Sequence, residues 1–399
     1  MKLEIGEKVE VDITAIAHGG HSIARHDGQV IFVRHAIPGE RVKVLITELQ
    51  KTFARGDCIE VITPSKERVA SRCKYSVPGG CGGCDFQHIS AVEQRRLKSA
   101  VIREQFARLA KLSVDVEVEA VEPTFGYRSR MEFTVSPDRK VALFKARSNE
   151  LIEIEECSIA DPAIDIKSLN ARRLPVGKRV DVALGSDGKV SVAIEGRDNF
   201  ELVHQRVGTF DFTLALESFW QSHVSAPKIL VEAVLEMTDA RAGDHIFDLY
   251  SGVGLFGAVF IDIVGKAGRI TMIEESPSAI TDARRNFANY EMVEIRSARV
   301  ERALGDYARA DQIILDPPRT GAGAKALAAM ANLGARGITY VACDPAALAR
   351  DAGYLGDLGY RLEAIRAFDL FPMTHHVECV ARFIQGQPEH PLVSIFLRH

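Results

Sequence analysis

The sequence predicts a multidomain α/β protein: a small antiparallel β-barrel, a mixed α/β middle domain carrying a cysteine cluster, and a C-terminal doubly wound, mostly parallel sheet. Three observations lead there. Short apolar runs broken by Gly19-Gly20, Asp27-Gly28 and Pro38-Gly39 fill the first sixth of the chain. Four cysteines, Cys73, Cys81, Cys84 and Cys157, lie together in the next stretch. From about residue 206, strand-like runs alternate with Ala-rich helical ones, the rhythm of βα units. At 399 residues the chain exceeds one ordinary domain and divides as 1–62, 63–205 and 206–399.

The bulk numbers narrow the class. A hydrophobic fraction of 46% with 26% charged residues fits a folded globule and excludes disorder. The opening MKLEIGEKVEVD carries acids and no apolar run, so no signal peptide is expected. The most apolar segment, 246–264, is interrupted by Asp248 and Asp262 and makes a poor membrane span. A cytoplasmic monomer with no membrane partner is the expectation. Seven cysteines, odd in number and partly clustered, indicate metal binding or catalysis before disulfides. The net charge is −4, yet residues 65–147 hold 16 Lys/Arg against 10 Asp/Glu. That local excess suits a phosphate-facing surface.

Within residues 1–62, VEVDI (9–13), QVIFV (29–33), RVKVLI (41–46) and CIEVI (58–62) read as short strands, whose turn dipeptides favour a small barrel. The wording AHGGHSIARHDGQVIFVRHAIPGERV resembles the TRAM domain, an OB-like RNA-binding barrel. Residues 85–112 read as a helix with Arg95, Arg96, Lys98, Arg103, Arg108 and Lys111 on it. VALF (141–144) and VSVAI (190–194) read as strands of the middle domain. IFDLY (246–250), RITMIE (269–274), DQIILD (311–316), GITYVAC (337–343) and VECVARF (377–383) are the strands of the C-terminal sheet.

The chemistry sits at the ends of those strands. DLYSGVGLFG (248–257) puts Gly252 and Gly254 where a strand turns into a helix, allowing close approach of a ligand. A turn of this kind alone does not separate NAD from S-adenosylmethionine. Glu274 ends the next strand, where a carboxylate accepts hydrogen bonds from ribose hydroxyls. In LDPPR (315–319), Asp316 stands at a carboxyl end and two prolines stiffen the loop after it. Arg319 occupies the position where an aromatic residue would mark amino-group methylation. In ACDPAALARD (342–351), Cys343 ends a strand before a helix, a setting that favours the thiolate. In LFPMTHHVECV (370–380), Glu378 opens another strand, a rigid support for a base.

DLYSGVGLF, LDPPR, ACDPAALARD and FPMTHHVECV, in that order after the TRAM-like start, resemble the bacterial RNA 5-methyluridine methyltransferases. The resemblance implies a class I, Rossmann-like S-adenosylmethionine-dependent methyltransferase domain. It implies Cys343 as nucleophile toward carbon 6 of uracil, and Glu378 as the base that removes the carbon-5 proton. It places Asp316 at the uracil edge or cofactor region, and Gln221 of SFWQSH, Tyr250 and Glu274 at the cofactor. It further implies a [4Fe–4S] cluster on Cys73, Cys81, Cys84 and Cys157, although spacing alone leaves zinc open. Cys58 and Cys379 read as packing residues. The implied partner is RNA, ribosomal before transfer RNA; a transfer RNA enzyme or a non-catalytic RNA-binding iron–sulfur protein are the alternatives. Tyr127, Arg128 and Arg130 in GYRSRMEF fit either contacts to phosphates and a stacked base or a structural arginine pair. The expected division of labour gives RNA backbone to the barrel and basic segment, and the base to Cys343, Glu378 and Asp316. Asp344, Leu255 and His223 depart from the usual pattern, and Asp344 is expected to raise the Cys343 pKa.

Overall fold

The computed structural model describes residues 3–197 and 201–386, and the short strand 392–393. The N-terminal strands Lys8–Ile16, Ser22–His26, Gln29–Arg34, Arg41–Leu49 and Phe53–Thr63 form a closed barrel in the order first, second, third, fifth, fourth. Val9, Val11 and Ile13 point inward between exposed neighbours, the period of two that a half-buried strand requires. They pack with Ile31, Val33, Val42, Val44 and Cys58. The strand Ser22–His26 went unread in the sequence because Arg25 and His26 break its apolar run.

A second, antiparallel sheet runs in the order Leu151–Glu153, Val141–Phe144, Arg130–Val135, Arg179–Leu184, Val190–Ile194. The helix Ala91–Gln105 is started by Ser90, whose side chain accepts from the Glu93 amide, and it runs on into a π-helical turn, Phe106–Ala110. This helix does not pack on the second sheet. Ile102 and Phe106 join Val114, Val116 and Val118 in the core of the C-terminal sheet. Part of its positive charge is also paired within the protein, one cation buried and two on the surface. Lys98 is buried on Asp369 at 2.6 Å, Arg96 pairs with Glu93 at 2.6 Å, and Arg103 with Asp115 at 3.3 Å. The helix therefore offers RNA fewer cations than its sequence promised.

The C-terminal sheet has eight strands. Their order is Val293–Ser297, Arg269–Glu274, His245–Leu249, Gln312–Leu315, Gly337–Ala342, Glu378–Gln385, Tyr360–Phe368, Val118–Glu119. The first five are mutually parallel, and Glu378–Gln385 runs antiparallel to both of its neighbours. Both faces are covered, so the central strands Gln312–Leu315 and Gly337–Ala342 are buried throughout. Phe247, Leu249, Ile313 and Leu315 face one core; Ile246, Ile270, Ile314 and Val341 face the other. Strand order reverses between His245–Leu249 and Gln312–Leu315, and at such a point the carboxyl ends open a ligand crevice.

Candidate active site

Cys343 follows the fully buried strand Gly337–Ala342 and precedes the helix Pro345–Asp357. Asp344 caps that helix: its Oδ1 accepts from the amides of Ala346 and Ala347 at 3.0 and 2.8 Å. Proline at the first helical position needs no amide partner, so strand end, cap and helix start fix the half-buried thiol. Glu378 begins the adjacent strand, and Asp316 follows Gln312–Leu315 on the other side. The three residues thus leave three neighbouring strands at one rim of the sheet.

Burial is the first cause of every large shift there. It pushes the Cys343 thiol up to about 12, with Glu378, Asp316 and Asp344 adding to the rise and Arg319 opposing it. The sign expected for Asp344 is present, though that residue contributes less than burial, Glu378 or Asp316. Burial raises the Glu378 carboxyl well above its ordinary range, and the nearby Asp316 charge raises it further. Asp316 keeps a little exposed surface, yet the protein around it desolvates its carboxyl and lifts it to about 7. Burial, with the charges of His375 and Arg319, lowers His376 to about 3, so its imidazole is neutral.

The cavity at Cys343 measures about 130 Å³ and brings together parts of the chain far apart in sequence. Arg319, Asp344, His375 and His376 come from the C-terminal domain, Lys98 and Val101 from the long helix. Phe86 and the barrel residues Ile16, Ala17, His18, Gly19 and Gly20 form another wall. His18 Nε2 lies 3.1 Å from Asp344 Oδ2. Gly20 has φ +79, and a Cβ there would stand 2.5 Å from His375 Cβ, so only glycine lets the loop come this close. His375 in turn pairs through Nδ1 with Asp85, the residue after Cys84. The barrel thus reaches the cavity at Cys343 as well as carrying its own basic surface. Sequence reading did not place His18, Gly20, Asp85 and His375 at the site; the adjacent glycines in AHGGH were the available signal, and they were read as a turn within the TRAM-like barrel.

Beyond this loop a wider cleft of about 650 Å³ is lined by His21, Arg34, Phe144, Lys145, Arg147 and others, and it shares Gly19, Gly20 and His375 with the catalytic cavity. Tyr127 is not in it. The ring is 1% exposed, stacks on His223 at 4.9 Å, and donates its hydroxyl to Pro372 O at 3.1 Å. Arg128 and Arg130 are likewise held by backbone carbonyls, of Arg130 and Leu216 respectively. The GYRSRMEF string is a packing element, since burying an aromatic and tying down its flanking cations outweighs display to a ligand.

On the other side of the switch point, Tyr250, Gly252 and Gly254 all take positive φ. A Cβ on Gly254 would meet the Phe287 ring at 2.4 Å. Glu274 ties this turn down: it accepts from the amides of Gly252 at 2.9 Å, Glu275 at 2.9 Å and Ser276 at 2.8 Å. Tyr250, Glu274, Ala298 and Val300 border a cavity of about 200 Å³. Beneath the turn, Asp248 is fully buried and accepts from the Gly257 amide at 2.7 Å, while its other oxygen has no partner. Burial lifts its carboxyl to about 7. Gln221 is buried in the segment before the helix Ala226–Met237 and lines neither cavity.

Cys73, Cys81, Cys84 and Cys157 border one further cavity of about 200 Å³, with Tyr75, Arg128 and Met131. The Gly83 amide donates to Cys81 Sγ at 3.4 Å, and Ser76 donates to Cys84 O at 3.0 Å. Burial raises the Cys81 and Cys157 thiols and takes Cys84 to about 12, and neighbouring thiols add to each rise. Among the described residues, no three or more His, Cys, Asp or Glu side chains are gathered to hold a metal ion. Cys58 and Cys379 lie in apolar cores, as packing residues do.

Comparison with known proteins places these features. The TRAM domain family matches residues 2–59, and the tRNA (Uracil-5-)-methyltransferase family matches residues 298–385. A protein-L-isoaspartate(D-aspartate) O-methyltransferase family matches residues 186–314, around the glycine turn. An RNA methyltransferase of Streptomyces avermitilis is 41% identical over 94% of this chain and 98% of its own. The 23S rRNA (uracil(1939)-C(5))-methyltransferase RlmD of Alkalilimnicola ehrlichii is 30% identical over 94% of this chain and 96% of its own. The crystal structure of the Pyrococcus abyssi tRNA (uracil-54, C5)-methyltransferase with S-adenosyl-L-homocysteine shares the fold, with a TM-score of 0.71 and 22% identity over 94% of this chain and 99% of that one.

Proposed function

The chain belongs to the RNA uracil-5-methyltransferase family, and from there we propose that it methylates carbon 5 of a uridine in ribosomal RNA through a covalent Cys343–uracil intermediate. The observation that carries the reading is the common rim: Cys343, Asp316 and Glu378 leave three neighbouring strands, near enough that both carboxyls raise the thiol while Arg319 opposes them. Acids whose pKa values are displaced together in a cleft mark a site of proton transfer.

Carbon 5 of uracil is a weak nucleophile. Addition of the Cys343 sulfur to carbon 6 forms a C–S bond and moves the double-bond electrons onto carbon 5 and its carbonyl, as an enolate. S-adenosylmethionine, when bound, supplies the methyl group that carbon 5 takes. Glu378 then removes the carbon-5 proton, the electrons re-form the ring double bond, and the C–S bond breaks to return the thiolate. A carboxylate raised by burial is a better base than an exposed one. Arg319 favours the thiolate against the burial that opposes it. Burial raises the Asp316 carboxyl, and in its protonated form it can donate to a uracil carbonyl. Tyr250, Glu274 and the Gly252–Gly254 turn would hold the donor's adenosine, with Gln221 the remaining proposed contact. Glu274 retains lone pairs for ribose hydroxyls beside the amides it already accepts.

The target base has to leave its stack to be reached from both faces. Arg34, Lys145 and Arg147 suit the phosphates beside it, and the exposed Phe144 suits a neighbouring base. The four cluster cysteines fit a [4Fe–4S] group: the donor set is right, the thiols line one cavity, and that cavity is larger than a single ion needs. Bound there, the cluster would hold its ligands as thiolates and tie the Cys157 loop to the loop carrying Cys73, Cys81 and Cys84. Ribosomal RNA is favoured by the full-length likeness to a 23S rRNA enzyme.

The test uses RNA containing 5-fluorouridine together with S-adenosylmethionine. Fluorine cannot leave as a proton does, so the covalent adduct persists. An adduct on the Cys343 peptide with ribosomal RNA fragments is expected. An adduct with transfer RNA alone removes the ribosomal assignment, and none with either removes the covalent one.

A further inference from the structure

The barrel loop meets the catalytic strand through one polar contact, His18 Nε2 to Asp344 Oδ2 at 3.1 Å, with the two side chains 37% and 25% exposed. Asp344 is the residue next to Cys343. Its Oδ1 is occupied by two helix amides, so Oδ2 is the oxygen left for a partner. The loop is held in place independently: Gly20 abuts His375, and His375 is anchored on Asp85. His18 is therefore delivered to Asp344 by packing and does not depend on a flexible reach across solvent.

We propose that His18 is a positioning residue for Cys343, contributed by the barrel: paired with Asp344, it draws the charge of that carboxylate away from the neighbouring thiol and completes the wall of the catalytic cavity. The inference rests on the reading of Cys343 as nucleophile. The electrostatics agree on both partners. The hydrogen bond to Asp344 raises His18, against burial and the charge of Arg108 and aided by Asp344 and Glu104. For Asp344, burial works upward, but His18 and the two amides outweigh it and hold the carboxyl below its usual value. The other charges facing Cys343 are Glu378, Asp316 and Arg319. A histidine raised on pairing is fully charged below its ordinary pKa and loses that charge as pH rises through the raised value. The screening of Asp344 is thus strongest on the acid side of neutrality, where a thiolate is hardest to form.

Alkylation of Cys343 by iodoacetamide, followed across pH on its own peptide by mass spectrometry, reads the thiol without any RNA. The outcome is therefore independent of which RNA is methylated, and a failure to methylate ribosomal RNA leaves it standing. His18→Ala should move the midpoint of the profile to higher pH and slow alkylation near neutrality about two- to fivefold, the range of a half-exposed ion pair. Asp344→Asn should move it lower, and His18→Ala added to Asp344→Asn should change nothing further. An unchanged midpoint in His18→Ala overturns the proposal. So does a shift that persists in the Asp344→Asn background, because His18 would then act by some route other than Asp344.

Discussion

Cys343 and Glu378 leave adjacent antiparallel strands at the same level, because Ala342 is registered opposite Cys379. Nucleophile and base are each one residue beyond that pair, one after it and one before it. A register slip of one residue would turn Glu378 to the opposite face of the sheet, so ladder pairing as well as side-chain packing sets the site.

Replacing the nucleophile should abolish chemistry and spare binding. Cys343→Ala should lower methyl transfer about a thousandfold or more, the scale for losing a covalent catalyst. Calorimetric affinity for S-adenosylmethionine should stay within about twofold, since the glycine turn lies on other strands. Comparable turnover in the mutant would remove Cys343 from its role.

Replacing the base should trap the reaction midway. Glu378→Gln cannot take up the carbon-5 proton, so methylated RNA should remain attached at Cys343 as a gel-stable band. Rapid release of methylated RNA would assign the proton to a different group.

Buried acids give stability a definite slope with pH. Asp248 is lifted by burial from 3.8 to about 7. An acid raised on folding contributes fully below its unfolded value, and the contribution is lost as pH rises through the folded one. Asp248 therefore contributes a part of the stability that falls as pH rises from about 4 to 7, opposed by the buried neutral rings of His88, His223 and His376, which gain over the same range; Asp248→Asn should make the melting temperature rise more steeply, or fall less, from pH 4 to 7 than in the wild type. An unchanged slope would mean that Asp248 does not titrate in this range.

The buried ion pair should show the asymmetry of such pairs. Lys98→Met leaves Asp369 charged without its ammonium and should cost about 3–5 kcal/mol of stability. Lys98→Met with Asp369→Leu should recover most of that loss in urea titration. Equal stabilities of the wild type and the single mutant would show that the pair adds nothing.

The cluster assignment is checked by metal content. Anaerobically purified protein should carry about four irons and broad visible absorbance. Cys84→Ser should lose both, while Cys58→Ser, in the barrel core, should lose neither. Stoichiometric zinc without iron would replace the assignment.

Much of this was legible in the chain. The sheet strands bearing Cys343, Asp316 and Glu274 are apolar runs ended by chemistry-bearing residues, and a buried strand cannot hide that pattern. Tyr127 stayed open between RNA contact and packing because an aromatic between arginines has the same composition in either; only the stack on His223 and the hydroxyl's reach to Pro372 separate the two. His18 was invisible for a different reason. It meets Asp344 across 326 positions, and no local periodicity encodes so distant a contact. Lys98 counted as surface charge because an amphipathic helix displays most of its lysines, whereas this one faces Asp369.

The eight-stranded sheet takes its last strand, Val118–Glu119, from far upstream of the others. During synthesis that segment and the helix before it leave the ribosome long before Tyr360–Phe368 exists to receive them. The catalytic core is therefore not a contiguous stretch of chain, and it cannot close until nearly the whole polypeptide has been made. A fragment cut at residue 206 would uncover the Ala367–Phe368 end of the strand Tyr360–Phe368 and the core surface that Ile102, Phe106, Val116 and Val118 cover. Expression of the C-terminal part by itself should give aggregates, whereas a fragment that keeps residues 91–119 fused to it should stay in solution.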